Sequence, residues 1–167
     1  DEGLKKRGWV DFDDLIRIPT QLLERNPDIR RYYQKRFRYL MIDEYQDTNT
    51  VQYKMVRALS SPRQNVAAVG DDDQAIYGFR GADVTRIRCF PEDFRGAAVV
   101  RLERNYRSIP PIIRLANSVI DAAPGRLDKR LIAHRNGNRD ISHNILENAD
   151  AEAQYVVDTI LQLRNRG

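Results

Sequence analysis

Two adjacent carboxylates, Asp43 and Glu44, follow directly on the short apolar run at residues 39–42. A run of this kind predicts a buried parallel strand, which presents both acids at its carboxyl end. The first acid can hold Mg²⁺ through water, because magnesium keeps part of its hydration shell. The second can orient and deprotonate an attacking water. The pair indicates metal-assisted phosphoryl chemistry, and a structural turn after a strand is the alternative.

A second apolar run, residues 66–69, leads into the segment 70–74, which reads Gly-Asp-Asp-Asp-Gln. The Gln74 amide can contact a phosphate oxygen or a water. Because the carboxyl ends of parallel strands form the ligand-binding edge of a sheet, we expect the two acidic segments to lie near one another. The three aspartates at 71–73 leave open a metal-dependent nuclease, but we expect them to shape the turn and order the loop after it.

The loop that follows contains two aromatic rings and one cation, at Tyr77, Phe79 and Arg80. Single-stranded nucleic acid is bound by such a combination, because rings stack on bases and a guanidinium pairs with phosphate. The alternative is a loop whose rings fold back into the core.

A third polar segment, residues 102–108, lies between a predicted strand and a predicted helix. Arg107 there could reach a phosphate and neutralise charge that develops during phosphoryl transfer. Tyr106 could stack on a base. The alternative is a surface ion pair between an arginine of this segment and Glu103 or a neighbouring acid.

The composition is that of a soluble globular protein, with 41% hydrophobic and 31% charged residues among 167. No run approaches the roughly 20 apolar residues that span a bilayer, and no signal peptide is visible. The single cysteine, Cys89, excludes an internal disulfide framework and fits a reducing compartment, so we expect a cytoplasmic protein. The net charge of +4 permits a polyanionic partner. The densest basic stretch of the chain, residues 30–38, is either a patch that binds nucleic acid or a solvated helix end.

Strands and helices are predicted to alternate, which indicates an α/β fold with a parallel sheet and right-handed crossovers. Asp11, Asp47 or Thr48, Ser108 and Asp150 are the predicted helix caps. The predicted helices begin near residue 11, run from about 48 through 59, from 82 to 89, from 108 to about 120, and from 150 onward. The predicted strands are residues 39–42, 66–69, 97–102 and 141–146, with a loop at 126–140.

Four segments in this order, residues 11–15, 42–49, 69–83 and 102–108, resemble the motifs of the UvrD/Rep/PcrA family of superfamily 1 DNA helicases. The 70–83 segment is the most specific of them. The family implies two RecA-like, P-loop NTPase-type parallel sheets with flanking helices, ATP in the cleft between them and single-stranded DNA across their top. The activity implied is ATP-dependent 3′-to-5′ translocation and duplex unwinding.

The resemblance also implies roles for individual residues. Asp43 would hold Mg²⁺, Glu44 would activate the hydrolytic water, and Gln74 would sense the γ-phosphate. The DNA-contacting loop would comprise Tyr77, Phe79 and Arg80. From the second core domain, Arg107 would be the arginine finger and Tyr106 the ring stacked on adenine.

Three positions depart from the family pattern: Ala75 stands where Ser is usual, Arg104 where Gln is usual, and Phe79 where Trp is frequent. The family's domain break falls before residue 97. We therefore expect residues 1–96 to be the later part of the first core domain and residues 97–167 the opening part of the second.

No Gly-x-x-x-x-Gly-Lys-Ser/Thr loop occurs in the 167 residues, and that loop is what cradles the phosphates. We expect an internal fragment that begins at a cut end, whose parent hydrolyses ATP and which does not do so alone. The alternative is a naturally shortened relative that only binds nucleic acid or a partner. Because an incomplete sheet exposes strand edges, the fragment could self-associate.

Overall fold

The computed structural model describes residues 2–166 and divides into two compact units. The first takes in the chain up to Glu103 together with Val119–Arg130, and the second Arg104–Ser118 together with the chain from Leu131. Both units are mixed α/β, each with one pair of short parallel strands. Within residues 2–166, no helix is at once long and apolar enough to cross a membrane.

Three helices open the first unit: α1 (Glu2–Lys6), α2 (Asp14–Arg25) and α3 (Pro27–Arg36). The Asp11 side chain accepts a hydrogen bond of 2.8 Å from the Asp14 amide, so it supports the start of α2, although this helix begins three residues later than predicted. Pro27 occupies the first turn of α3, where its missing N–H costs nothing. A buried leucine of α2, Leu23, belongs to the small core of this unit.

The strands of the first unit are β1 (Leu40–Ile42) and β2 (Val66–Ala68), which pair in parallel with Met41 opposite Ala67. The crossover between them contains α4 (Thr50–Ser60). The prediction that β1 is buried was wrong, because Met41 is 83% exposed. A two-stranded sheet leaves much of each strand uncovered, whereas a buried parallel strand needs cover on both faces.

The cap of α4 also differs from the prediction. Asn49, and neither Asp47 nor Thr48, is the N-cap residue: its side chain accepts hydrogen bonds from the amides of Val51 and Gln52. Gln52 completes a capping box by accepting from the Asn49 amide at 2.9 Å. Asn is as good an N-cap as Asp, so residue type alone did not discriminate among the neighbouring positions.

Two short helices, α5 (Thr85–Arg88) and α6 (Phe90–Asp93), replace the single helix predicted over residues 82–89. They bring Phe90 and Phe94 against the turn after β1. The Phe90 ring stacks on Phe94 at 4.5 Å and meets Tyr45 edge-on at 5.4 Å. Tyr45 and Phe94 are buried, so these three aromatic rings anchor the carboxyl end of β1.

The second unit pairs β3 (Arg104–Asn105) in parallel with β4 (Ile132–Ala133). Its helices are α7 (Pro110–Ile120), which starts at the predicted prolines, and α8 (Ala149–Asn165). Asn148 caps α8 by accepting a hydrogen bond from the Ala151 amide, so the prediction of Asp150 was wrong.

Two predicted strands of this part of the chain do not form. Residues 97–102 and 141–146 are irregular, and β4 lies inside the stretch predicted as loop. Val99, Val100 and Leu102 are exposed. An apolar run becomes a strand only where a neighbouring strand supplies its hydrogen bonds, and among the described residues neither run has such a neighbour.

Candidate functional site

Asp43 and Glu44 leave β1 through a left-handed turn. Glu44 has φ 51° and ψ 43°, a conformation that residues other than glycine seldom adopt. Asp43 Oδ1 accepts a hydrogen bond of 2.9 Å from the Glu44 amide. Both acids are exposed, whereas Tyr45 is completely buried. The turn therefore separates two solvent-facing carboxylates from the ring that anchors them.

Gln46 connects the turns that follow β1 and β2. Its side chain is buried, with the residue 1% exposed. Nε2 donates a hydrogen bond of 2.8 Å to the Glu44 carboxylate, and Oε1 accepts one of 3.0 Å from the Asp71 amide. The donor and the acceptor of this buried side-chain amide therefore each have a hydrogen-bond partner. Glu44 is consequently held in one orientation relative to the turn after β2.

Gly70 makes this arrangement sterically possible. A Cβ at residue 70 would lie 2.6 Å from Gln46 Oε1, 2.8 Å from Ile87 Cδ1 and 3.1 Å from the Tyr45 amide nitrogen. The first two distances are shorter than real Cβ contacts, so any side chain here would displace Gln46 or Ile87. A glycine is required at residue 70 for close approach.

Gln74 lies at the end of a 3₁₀ turn, Asp72–Gln74, and is tied back to Asp71. Its Nε2 donates a hydrogen bond of 2.7 Å to Asp71 Oδ2. Asp71 Oδ1 accepts a bond of 3.1 Å from the Asp73 amide, which caps the turn. Through Gln46 and the Asp71 residue, a chain of hydrogen bonds thus runs from Glu44 to Gln74. These two predicted site residues are therefore brought into one polar network.

The three aspartates at 71–73 are neutralised by basic side chains of the same unit. Lys129 Nζ lies among all three, 2.6 Å from Asp71, 3.2 Å from Asp73 and in hydrogen-bond contact with Asp72. Arg126 donates two hydrogen bonds, of 3.1 and 2.8 Å, to the Asp73 carboxylate. Arg88 lies 3.3 Å from Asp72. The three carboxylate groups come close enough together to ligate a cation, but the Lys129 ammonium occupies that position.

These contacts shift the pKa values of the groups involved. Burial by itself would raise the pKa of Asp72, but hydrogen bonds from Lys129 and the Leu127 amide lower it below its usual value. The Arg126 hydrogen bonds, with those from Lys129, lower the pKa of Asp73 against the effect of burial. Burial opposes the charge on Lys129, yet its hydrogen bonds to the aspartates raise its pKa. The contacts therefore favour the charged forms of Asp72, Asp73 and Lys129.

The aromatic loop after Gln74 presents rings to solvent. Phe79 is 78% exposed, so the alternative of a ring folded into the core is wrong for this residue. The Arg80 guanidinium carbon lies 5.0 Å from the Tyr77 ring centroid and 5.4 Å from that of Phe79. The two centroids are 5.8 Å apart. Tyr77, Phe79 and Arg80 thus form one cation–aromatic cluster, in which Phe79 and Arg80 are exposed and Tyr77 is half-buried.

In the second unit, Tyr106 and Arg107 follow β3 in a turn organised by Asn105. Asn105 Oδ1 accepts hydrogen bonds from the amides of Arg107 and Ser108 at 3.0 and 2.8 Å. Tyr106 is 62% exposed and its ring centroid lies 4.7 Å from that of His134. The Arg107 guanidinium is exposed and has no ion-pair partner within the described part of this unit.

In the first unit, the Glu103 carboxylate accepts a hydrogen bond of 2.9 Å from the Arg130 amide.

Sequence reasoning missed three residues of the polar network: Gln46, Arg126 and Lys129. Gln46 follows the acid pair, but nothing in its spacing distinguishes a buried bridging amide from an exposed one. Arg126 and Lys129 lie more than 50 residues from the aspartates they bind, in a stretch whose composition indicated only a loop.

Comparison with known proteins identifies DNA helicases as the relatives of this mixed α/β chain. A family model described as the UvrD/REP helicase N-terminal domain matches residues 1–95. The chain therefore belongs to the UvrD/REP helicase family, and the resemblance seen in the four motif segments is confirmed.

Individual relatives match over nearly the whole chain. A probable DNA helicase II homolog of Rickettsia felis is 45% identical over 154 residues, which is 92% of this chain and 24% of the relative. The ATP-dependent DNA helicase PcrA of Bacillus subtilis is 43% identical over 164 residues, 98% of this chain and 22% of the relative. The chain thus spans about a quarter of the length of these curated relatives.

Proposed function

We propose that this chain forms part of the motor core of an ATP-dependent DNA helicase that translocates 3′ to 5′ on single-stranded DNA and unwinds duplexes. Residues 1–96 would belong to a first RecA-like domain and residues 97–167 to a second. One observation carries the proposal: three hydrogen bonds link Glu44 to Gln74 through the Gln46 side chain and through the backbone amide and carboxylate of Asp71, directly before the aromatic loop. A helicase that couples ATP hydrolysis to DNA movement requires a connection of this kind between the hydrolytic residue and the DNA-contacting loop.

On the nucleotide side, the exposed Asp43 carboxylate fits Mg²⁺, which prefers hard oxygen ligands and retains waters. The hydrogen bond from the Glu44 amide engages Asp43 Oδ1 and not Oδ2. When bound, the ion would neutralise phosphate charge during transfer. Glu44, held by Gln46 and open to solvent, would orient and deprotonate the attacking water. Gln74 would contact the γ-phosphate or that water.

In the second domain, Arg107 and Tyr106 would complete the nucleotide site. Arg107 is exposed and without an ion-pair partner in its unit, so its guanidinium is available to stabilise the negative charge that develops on phosphoryl oxygens. Tyr106, which is exposed beside His134, offers a ring face to adenine.

On the nucleic-acid side, Tyr77, Phe79 and Arg80 would contact single-stranded DNA. Rings stack on bases of any sequence, which suits a motor that moves along DNA without reading it. The Arg80 guanidinium would pair with phosphate. Because this contact does not need the missing phosphate loop, a binding-only role for the chain by itself is the second candidate function.

The DNA contact is tested by fluorescence anisotropy with a labelled oligothymidylate and the chain as it stands. Stacking contributes about 1–3 kcal/mol per base, so Phe79→Ala is expected to weaken binding by roughly tenfold. Tyr39→Ala is the matched control, because Tyr39 is 79% exposed in the same unit but outside the motif segments. Equal affinity of the Phe79 and Tyr39 variants would exclude the loop as a DNA contact.

The hydrolytic role is tested in the product of the complete gene. There, Glu44→Gln should abolish DNA-stimulated ATP hydrolysis while DNA binding persists. A complete product that binds DNA but never hydrolyses ATP would favour the binding-only candidate over the helicase.

A further inference from the structure

Lys129 is the most highly connected cation of the described first unit, yet it lies in none of the motif segments. Its side chain is 19% exposed and contacts Asp71, Asp72 and Asp73. Of the three partners, Asp72 has a fully buried side chain. An ammonium in this position costs desolvation energy and is stable only because the carboxylates surround it. The question is which neighbouring side chain this buried ion pair holds in place.

The two oxygens of Asp71 have different partners. Oδ1 faces Lys129 Nζ at 2.6 Å and accepts from the Asp73 amide at 3.1 Å. Oδ2 accepts the hydrogen bond of 2.7 Å from Gln74 Nε2. With Oδ1 occupied, the carboxylate plane is fixed and Oδ2 is directed to Gln74. Gln74 is otherwise exposed, and its side-chain hydrogen bond within the described chain is this one.

We infer that Lys129 is a positioning residue for Gln74 and acts through the Asp71 carboxylate. By holding Asp71, Lys129 selects the orientation in which Gln74 Nε2 is engaged and Gln74 Oε1 is left free to accept a hydrogen bond from a ligand or water. The inference deepens the proposed function, since it rests on Gln74 being the group that meets the nucleotide. The segment after α7, which contains Lys129, would thereby contribute to the nucleotide site.

Arg126 provides a matched control for this inference. It belongs to the same segment and forms a two-pronged contact with Asp73. It also donates a hydrogen bond of 3.0 Å to the Lys129 carbonyl, but it contacts neither Asp71 nor the Lys129 ammonium. Loss of Arg126 therefore removes comparable ion pairing from the same turn. If the contacts only stabilise the turn, either substitution would loosen it in the same way. If Lys129 positions Gln74, only replacement of Lys129 would change the orientation of Gln74.

The experiment records the side-chain amide resonances of Gln74 in the ¹⁵N-labelled chain, assigned as the pair of peaks that Gln74→Ala removes. Lys129→Met and Asp71→Asn are each expected to move this pair toward the positions of free glutamine amides, while Arg126→Met leaves it in place. In the Asp71→Asn background, Lys129→Met should cause no further change, because the connection is already broken.

Two results would overturn the inference: an unmoved Gln74 pair in Lys129→Met, or an equal displacement in Arg126→Met. If Lys129→Met fails to fold, Lys129→Gln takes its place, because a glutamine amide can still donate to the buried Asp72 carboxylate while the ammonium beside Asp71 is lost; an unmoved pair there has the same meaning. These resonances do not depend on ATP hydrolysis. The proposed function fails separately, if Gln74→Ala in the complete gene product leaves DNA-stimulated ATP turnover unchanged.

Discussion

Replacing Gly70 by alanine tests the connection between the two strand ends with a single methyl group. The added Cβ would lie 2.6 Å from Gln46 Oε1 and 2.8 Å from Ile87 Cδ1. The third neighbour, the Tyr45 amide nitrogen at 3.1 Å, belongs to the backbone and cannot move aside. The side chains of Gln46 and Ile87 are therefore the groups that must shift.

The energetic cost has two parts. When Gln46 moves, its hydrogen bonds to Glu44 and to the Asp71 amide are both lost, and each contributes about 1 kcal/mol. Overpacking against Ile87 adds at least about 1 kcal/mol. We therefore expect Gly70→Ala to lower the free energy of unfolding by about 3 kcal/mol.

The assay is urea denaturation of the chain, combined with hydrogen exchange at the Asp71 amide, which loses its acceptor when Gln46 moves. Gly78→Ala is the control, because a Cβ there meets nothing within 4 Å. The control should be neutral or more stable by up to about 1 kcal/mol. A Gly70→Ala chain with unchanged stability and a protected Asp71 amide would refute the reasoning.

Four further outcomes are expected. Tyr45→Phe removes a buried hydroxyl that has no hydrogen-bond partner, so thermal unfolding should show a gain of up to about 1 kcal/mol; a clear loss would mean that the hydroxyl is satisfied. The pKa values of Asp72 and Asp73 are lowered in the folded chain, so their contribution to stability is present above about pH 4 and is lost as pH falls through the folded pKa values; urea unfolding from about pH 6 to about pH 2 measures this, and pH-independent stability would contradict it. The chain alone, whose sequence has no phosphate loop, should show no DNA-stimulated ATPase, and turnover that Glu44→Gln abolishes would disprove this. In the complete gene product, Arg107→Ala should reduce ATP turnover by about tenfold or more with little change in ATP affinity, as expected for a contact made in the transition state; steady-state kinetics would show unchanged turnover if Arg107 has no such role.

Local sequence patterns predicted the elements whose signals are strong and short-range. The apolar runs before Asp43 and before Gly70 are β1 and β2, and the prolines at 110 and 111 start α7. Caps were less predictable, since Asn49 caps α4 where Asp47 or Thr48 was expected, and Asn148 caps α8 where Asp150 was expected. These residue types have similar N-cap preferences. Residue type therefore does not decide which of several adjacent residues becomes the N-cap, and the packing of the helix does.

The remaining errors concern pairing between distant segments. Val99 and Val100 lie in an apolar run that remains irregular, whereas Ile132 lies in a stretch predicted as loop and forms part of β4. Strand formation depends on which segments become neighbours. A single sequence contains the hydrophobic pattern of each segment but not the identity of its partner.

The sequence by itself determined the family, the acid pair at residues 43–44 and the aromatic and basic composition of the loop with Phe79 and Arg80, because these follow from residue types at fixed short spacings. That Phe79 is exposed was decided by the structure. Only the tertiary structure decided that Gln46 bridges the two strand ends. The same holds for the Lys129 ammonium, which lies among three aspartates more than 50 residues away in the chain. Both are buried polar contacts, which are stable only when every partner is in place, and the partners are brought together by folding.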